Sequence, residues 1–207
     1  MVRYKLYYSP GACSLAVHAV LNAIGAEFEL MNVAIDGTDN RTKEYLAMSP
    51  LGQVPVLVAG EQIWRESAAM MIGLLDGAKH PLLPQEGEAR QKALQWLLFA
   101  SSTLHQAYGA YFLMSKHLPG EAAAPALQLL SKRIHKLWRY VDSQIAGDFI
   151  CGDQPTAGDV LMAVIANWSG LIVPAFELPG KVQALCRHAM ALPYLAKAIE
   201  AEEIAYS

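Results

Sequence analysis

The sequence predicts an α/β domain followed by an all-α domain, and two patterns carry that prediction. In the N-terminal part, short strand-like segments alternate with segments of helical periodicity. After residue 88 the apolar residues recur at helical spacing, and no convincing strand pattern follows. Pro81 and Pro84 interrupt the pattern between the two halves. We therefore predict one domain at residues 1–78, a linker at 79–87 and a helical domain at 88–207.

The N-terminal half predicts the order strand, helix, strand, helix, hairpin, helix. Its predicted strands cover residues 4–8, 27–33, 54–58 and 62–64. Its predicted helices cover residues 14–24 and 42–48 and a third segment that begins at Glu66 and runs to about Leu75. Gly60 supplies the turn between the last two strands, so these strands are expected to pair as a hairpin. Pro55 stands near the start of its strand, where the missing N–H is tolerated.

The C-terminal half predicts five helices, with a specific start signal before one of them. The predicted helices cover residues 89–116, 122–145, 156–169, 181–191 and 194–201. Thr156 and Asp159 stand three residues apart just before the apolar run that begins at Val160, which is typical of a capping box. That helix is apolar nearly all round, so we expect it in the middle of the helical domain.

Composition and charge narrow the class of protein. Of the 207 residues, 54% are hydrophobic and 17% are charged, and the formal net charge of −3 argues against broad nucleic-acid binding. A basic cluster falls on a probable helix, where a solvated surface is the favoured interpretation over a phosphate track: Lys132, Arg133, Lys136 and Arg139. The longest apolar run is far shorter than the roughly 20 residues needed to cross a bilayer. We expect a soluble protein with neither a membrane nor a nucleic acid as partner.

The three cysteines, Cys13, Cys151 and Cys186, are widely separated. Their odd number and spacing fit neither a disulfide framework nor a paired redox or zinc motif. A reducing compartment, and hence a cytoplasmic location, is expected. The sequence also lacks clustered metal ligands and a phosphate-cradling glycine loop, so no metal is expected.

Cys13 stands where a cysteine is chemically useful, at the predicted start of a helix after the turn Ser9-Pro10-Gly11. Unpaired N–H groups and the positive end of the helix dipole favour a thiolate there, which is the reactive form. Ser14 adds a hydroxyl beside it. An equally consistent interpretation makes Cys13 a small buried hydrophobe and Ser14 an ordinary cap.

Five segments follow one another in a specific order: YYSPGACSL at 7–15, SPLGQVPVL at 49–57, RES at 65–67, SSTLHQAY at 101–108 and CGDQPTAGDV at 151–160. Together they resemble the cytosolic glutathione transferases, most of all the bacterial beta class, over essentially the whole chain. The resemblance implies a thioredoxin-like, glutathione-binding N-terminal domain, a helical C-terminal domain and a homodimer. It also implies glutathione as co-substrate, a small apolar electrophile as second substrate and a role in detoxification.

The resemblance implies a cis peptide bond before Pro55, which would turn the Val54 backbone toward the ligand. Val54 would then pair its N–H and C=O with the cysteinyl part of glutathione, as an added strand does. Gln53 would offer its side-chain amide, although a solvated loop glutamine is the simpler interpretation. Glu66 and Ser67 would hold the γ-glutamyl amino group and carboxylate at a helix start, the alternative being a plain helix N-terminus.

The resemblance also places Cys13 next to the glutathione sulfur, with two possible roles. It would either form a mixed disulfide or hydrogen-bond the glutathione thiolate and so lower its pKa, and Ser14 would share that task. His105 matches an active-site histidine of the family, and Ser102 lies three residues before it on the same helical face. A structural histidine is an equally weighted alternative.

Tyr108, Tyr111 and Phe112 are candidate walls of an apolar second-substrate pocket, although aromatic residues at this spacing are more often core. The family pattern also leads us to expect a lysine near Thr38, an asparagine at the position of Leu98 and a lysine at the position of Gln106, and none is present.

These observations support a transferase that conjugates glutathione to small electrophiles, or exchanges disulfides through Cys13. The alternative is a binding or regulatory protein that keeps the fold without turnover, which the missing polar and cationic contacts favour. An isomerase or dehalogenase that uses glutathione is not separable from the transferase by sequence.

Overall fold

Four strands form one mixed sheet in this computed structural model, which describes residues 4–118 and 120–205 and, of residues 121 and 122, only the backbone. The strands are β1 (Tyr4–Tyr8), β2 (Phe28–Asn32), β3 (Val56–Ala59) and β4 (Gln62–Trp64). Their order is β2-β1-β3-β4, with β2 parallel to β1, β3 antiparallel to β1 and β4 antiparallel to β3. The predicted hairpin is therefore confirmed. Its first strand begins later than predicted, after Pro55, which has no N–H to donate.

Four helices, numbered in chain order, belong with this sheet to the first of two compact units, which comprises residues 4–85 and 191–205. They are α1 (Ser14–Ala23), α2 (Lys43–Met48), α3 (Ser67–Ala78) and α9 (Pro193–Ala201). Helix α9 packs against α1, and its side chains Leu195 and Ala198 are buried. The Asn22 side chain adds a hydrogen bond of 3.2 Å from its amide nitrogen to the Tyr194 carbonyl oxygen.

The packing of α9 corrects one predicted boundary. The sequence pattern assigned residues 88–207 to the helical domain, whereas residues 191–205 join the first unit. Helical periodicity cannot tell which core an apolar face will contact, and here the partner lies at the other end of the chain. The division between the units after residue 85 falls within the predicted linker.

The second unit comprises residues 86–118 and 120–190. Its α-helices are α4 (Gly87–Phe99), α5 (His105–His117), α6 (Ala124–Gln144), α7 (Ala157–Ala166) and α8 (Gly180–Met190). The helix predicted over residues 89–116 is α4 and α5 joined by a π-helical turn at Ala100–Leu104. The structure assigns no strand to the described part of this unit, apart from one isolated bridge, and the prediction of a helical second half is confirmed.

Helix α7 lies at the centre of the second unit, because every residue from Ala157 to Ala166 is buried. Its predicted capping box is present. The Thr156 N–H and hydroxyl both donate to Asp159 Oδ2 at 2.7 Å, and the Ile150 N–H donates to Oδ1 at 2.8 Å. These bonds fix the start of the helix around which the unit packs.

The four residues of the basic cluster in α6 are exposed, as a solvated surface requires: Lys132, Arg133, Lys136 and Arg139. Among the helices that the structure describes, none combines the length and apolarity needed to span a bilayer.

Candidate active site

The turn before α1 is closed by its own short side chains. The Ala12 N–H donates to the Ser9 carbonyl oxygen at 3.0 Å. The Ser14 hydroxyl donates to the same oxygen at 3.2 Å and accepts the Ser9 N–H at 3.3 Å. Gly11 has φ +70°, a conformation that favours glycine. This turn sets Cys13 at the N-cap position of α1, as predicted, while the fully buried Ser14 hydroxyl is engaged in holding the turn.

Cys13 lies close to two of the other predicted site residues, Val54 and Ser67. Its side chain is only 6% exposed, and its sulfur lies 3.8 Å from the Val54 carbonyl oxygen. The Ser67 hydroxyl lies close enough to the same thiol to lower its pKa. Three segments therefore converge on one sulfur atom: the start of α1, the loop before β3 and the start of α3.

Burial decides the protonation state of Cys13. Loss of water around the sulfur raises the pKa of the Cys13 thiol to about 11, and the nearby Glu66 carboxylate raises it further. The Ser67 hydroxyl and nearby backbone groups lower the pKa of the thiol by less. The thiol is therefore neutral at pH 7. The thiolate expected from a helix start is therefore wrong, because desolvation of the sulfur outweighs the field of the helix.

The loop that carries Val54 is held by buried side chains. The Ser49 hydroxyl donates to the Gln53 carbonyl oxygen at 2.9 Å and accepts the Gln53 N–H at 3.0 Å, and the Tyr45 hydroxyl donates to the same carbonyl at 2.9 Å. The bond between Val54 and Pro55 is cis, as the resemblance implies. Within the described ranges the Val54 N–H has no hydrogen-bond partner, and the Gln53 side chain is exposed. The Val54 N–H is therefore left without a backbone partner in the described part of the chain, and the Gln53 side chain is open to solvent.

Glu66 and Ser67 begin α3 in different environments. Glu66 is exposed and has φ +69°, a conformation that costs a non-glycine residue on the order of 1 kcal/mol. Ser67 is buried and is the first residue of the helix, one position later than predicted. Next to them, Arg65 donates from Nε to the Met48 carbonyl oxygen at 2.6 Å, a contact that the sequence did not indicate. This bond connects the segment before α3 to the last residue of α2, after which the loop to Val54 begins.

The second unit carries the remaining candidates. Ser102 lies in the π-helical turn and donates from its hydroxyl to the Leu98 carbonyl oxygen at 2.7 Å. His105 is half-buried, and its ring centroid lies 5.2 Å from that of Trp168. Phe112 is also half-buried, and its ring centroid lies 6.2 Å from that of Trp168. Sequence reasoning missed Trp168, because a lone tryptophan after an apolar helix gives no local signal of a site.

Tyr108 and Tyr111 are core residues rather than pocket walls. Tyr108 is fully buried, and its hydroxyl hydrogen-bonds Ser169 and accepts the Trp138 indole N–H at 2.8 Å. The buried Tyr111 hydroxyl donates to the Val173 carbonyl oxygen at 3.1 Å and accepts the Val173 N–H at 2.7 Å. Their hydroxyls are used to join segments of the second unit, so of the three predicted wall residues Phe112 is the one that stays accessible.

All three cysteines are free thiols. Among the described residues, no three histidine, cysteine, aspartate or glutamate side chains group in a way that would hold a metal ion.

Comparisons with known proteins point to one family. A family model described as "Glutathione S-transferase, N-terminal domain" matches residues 2–71. A glutathione S-transferase of Xanthomonas campestris pv. campestris is 30% identical over 169 residues, which cover 80% of this chain and 82% of that protein. A solved glutathione S-transferase from Xylella fastidiosa is 26% identical, with a TM-score of 0.88 over 98% of this chain and 100% of its own. A sphingomonad glutathione S-transferase solved with glutathione is 25% identical, with a TM-score of 0.81 over 97% of this chain and 100% of its own.

Proposed function

This chain belongs to the glutathione S-transferase family, and we propose that it is a glutathione transferase that joins the sulfur of glutathione to a small apolar electrophile. The observation that carries the proposal is the convergence of the Cys13 thiol, the Val54 backbone and the Ser67 hydroxyl in the first unit. The names of its relatives, and the glutathione bound to one solved relative, support it.

Residues 4–78 form the glutathione-binding domain in this proposal. The Val54 N–H and C=O pair with the cysteinyl part of the peptide, which extends the sheet as an added strand does. Ser67 and the free N–H groups at the start of α3 hold the γ-glutamyl carboxylate, and Glu66 holds its amino group. Gln53 offers its amide to the same ligand. The exposure of Glu66 and Gln53 and the unpaired Val54 N–H support these roles.

The neutral Cys13 thiol acts as a hydrogen-bond donor to the glutathione thiolate. That bond stabilises the negative sulfur and lowers the pKa of bound glutathione, which makes it a better nucleophile at pH 7. The sulfur then forms a bond to the electrophilic carbon, and the leaving group departs with its electron pair. The raised pKa of Cys13 favours this role over thiol-disulfide exchange, which needs a cysteine thiolate.

The second substrate binds to the half-buried aromatic side chains of the second unit. Phe112 and Trp168 offer apolar faces to it, while His105 and Ser102 offer polar groups. We further propose that the protein belongs to the beta class, forms a homodimer and acts in detoxification. These three points are supported by the sequence resemblance alone. A cytoplasmic location fits three free cysteines.

Calorimetry with reduced glutathione, together with mass spectrometry of the product formed from an aromatic electrophile, tests the proposal. The wild type is expected to bind glutathione and form the conjugate. Cys13→Ser keeps a donor and most of the activity, whereas Cys13→Ala lowers kcat/KM about tenfold, the value of one hydrogen bond. Cys151→Ser removes a half-buried cysteine outside the proposed site and serves as the matched control.

Other results of these binding and conjugation experiments would favour a different function. Binding without conjugation favours the regulatory alternative, which the residues at Thr38, Leu98 and Gln106 also favour. Absence of glutathione binding by the wild type contradicts the proposal altogether. Rapid formation of a mixed disulfide at Cys13 with oxidised glutathione at pH 7 would replace conjugation by disulfide exchange as the main reaction.

A further inference from the structure

One buried side-chain amide joins two loops of the first unit. Asn40 lies between β2 and α2, and its side chain belongs to a residue that is only 5% exposed. The Asn40 Nδ2 donates to the Gly52 carbonyl oxygen at 2.9 Å, in the loop that leads from α2 to β3. The Asn40 Oδ1 accepts the Gly37 N–H at 3.0 Å. Both ends of the amide are therefore engaged, and it holds its two partners at a fixed separation.

The backbones of the two loops also touch at Gly52. Its φ is +65°, a conformation that favours glycine. A methyl group placed on Gly52 would stand 2.6 Å from the Asn40 carbonyl oxygen and 3.1 Å from Arg41 Nη1. The first of these distances is shorter than a carbon and an oxygen atom can approach, so there is no room for a side chain at this position. The loop before β3 therefore lies directly against Asn40 and Arg41.

The bond from Asn40 holds the first of two consecutive peptide groups that lead to the proposed ligand contact. In this first group the Gly52 C=O accepts from Asn40, and the N–H of the next residue donates to the Ser49 hydroxyl at 3.0 Å. In the second group the Gln53 C=O accepts the Ser49 hydroxyl at 2.9 Å. Its N–H is that of Val54, which has no hydrogen-bond partner among the residues that the structure describes. Because a peptide group is planar, the bonds to its carbonyl determine the direction of its N–H.

The bonds that hold these peptide groups come from two places. Ser49 and Tyr45 act from the end of α2 and from α2 itself, only 4 and 8 residues before Gln53. They can turn together with the loop, because donor and acceptor belong to one short segment. Asn40 acts from a separate loop, 12 residues before Gly52. Its amide therefore fixes the loop before β3 relative to a neighbouring segment.

We propose that Asn40 is a positioning residue for the Val54 backbone, and through it for glutathione. Its amide holds the Gly52 carbonyl, and with it the peptide groups that direct the Val54 N–H. Asn40 itself is buried and uses both ends of its amide within the protein, so it has no contact with the ligand. The effect on glutathione rests on the proposed function, whereas the effect on the loop does not.

The test compares two substitutions of Asn40 with a substitution of a matched asparagine. Asn40→Ala removes both hydrogen bonds, whereas Asn40→Asp keeps the acceptor for Gly37 and loses the donor to Gly52. Asn22→Ala is the control, because the Asn22 Nδ2 also donates to a backbone carbonyl, that of Tyr194 at 3.2 Å, away from this loop.

Three measurements are made at a temperature where circular dichroism shows each variant folded. Calorimetry gives the glutathione Kd. NMR gives the hydrogen-exchange rates of the Gly52 and Gln53 amides, which donate to the Ser49 carbonyl oxygen and to its hydroxyl. Steady-state kinetics gives kcat and the KM of each substrate.

Asn40→Ala and Asn40→Asp are each expected to raise the glutathione Kd and the two exchange rates about tenfold, the effect of one lost hydrogen bond. The KM for glutathione should rise with Kd, while kcat and the KM for the electrophile stay within about twofold of wild type, because Val54 contacts glutathione alone in the proposed function. Asn22→Ala should lower the melting temperature but leave Kd and both exchange rates within about twofold of wild type, since distant sites act independently.

The proposal is overturned if the Asn40 variants only melt at a lower temperature and keep Kd and both exchange rates as close to wild type as the control does. Faster exchange at an unchanged Kd also overturns it, since the loop would then move without effect on the ligand. Should Asn40→Ala fail to fold, Asn40→Asp decides, because it keeps the bond to Gly37. Wild type that does not bind glutathione contradicts the proposed function, while the exchange rates still test whether Asn40 positions the loop.

Discussion

The Cys13 sulfur lies 3.8 Å from the Val54 carbonyl oxygen, a contact between residues 41 positions apart. A carbonyl is an acceptor, so the contact suits a protonated thiol and not a thiolate. Burial, which raises the pKa of Cys13 to about 11, acts in the same direction. Cys13 is therefore a neutral thiol that donates to the Val54 carbonyl oxygen. The same Val54 backbone is proposed to pair with glutathione.

The first prediction concerns the pH dependence of Cys13 reactivity. Because its pKa is raised to about 11, the thiolate fraction of Cys13 stays small at neutral pH and rises only as the pH approaches that value. Pulsed alkylation followed by mass mapping of the Cys13 peptide is expected to give rates well below those of a small thiol up to about pH 9. A rate that titrates near the ordinary cysteine value of about 8.5 would contradict a buried neutral thiol.

The second prediction concerns Ser67. Its hydroxyl lowers the pKa of the nearby Cys13 thiol and is proposed to hold the glutathione carboxylate. Ser67→Ala is expected to weaken glutathione binding about 10- to 100-fold, as the loss of a hydrogen bond to a charged group does, and to raise the pKa of Cys13 further. Calorimetry measures the first effect. Ser143→Ala, which removes an exposed hydroxyl bonded within its own helix, is the matched control and is expected to leave binding unchanged.

Local signals in the sequence were sufficient to predict several elements of the fold. The turn before Cys13, the hairpin and the capping box of Thr156 and Asp159 depend on residues a few positions apart, and each formed as predicted. The π-helical turn between α4 and α5 was missed, because helical periodicity alone does not reveal one inserted residue.

The parts that sequence reasoning missed depend on distant partners. The bond from Gly11 to Glu202 joins residues 191 positions apart, and no periodicity predicts such a pair. The protonation of Cys13 depends on how much water the finished fold removes from its sulfur, and the helix start by itself predicted the opposite state.

The third prediction concerns Asp159. Its carboxylate accepts three hydrogen bonds at the start of the central helix α7, from Ile150 and Thr156. Asp159→Ala leaves these donors buried and unpaired, so we expect the free energy of unfolding to fall by about 2–4 kcal/mol. Urea denaturation measures the change. Thr156→Ser keeps the capping hydroxyl and is expected to cost less than about 1 kcal/mol, whereas equal losses for the two variants would show that the capping box contributes little.

The fourth prediction separates core from substrate contact among the aromatic residues of α5. Tyr108→Phe removes a buried hydroxyl that hydrogen-bonds Ser169 and Trp138, and is expected to lower the free energy of unfolding by about 1–3 kcal/mol without changing the KM for the electrophile. Phe112→Leu keeps an apolar side chain at a half-buried position, so its cost in stability should be less than about 1.5 kcal/mol.

Phe112→Leu is expected to change the kinetics more than it changes the free energy of unfolding. Loss of one aromatic face beside Trp168 should raise the KM for an aromatic electrophile several-fold, while the KM for glutathione stays the same. Steady-state kinetics with both substrates varied, set beside thermal unfolding of each variant, distinguishes the two effects. The Tyr108 hydroxyl is engaged by Ser169 and Trp138 inside the core and is not expected to contact a substrate. A changed KM for the electrophile in Tyr108→Phe, with the free energy of unfolding unchanged, would therefore contradict the assignment of Tyr108 to the core.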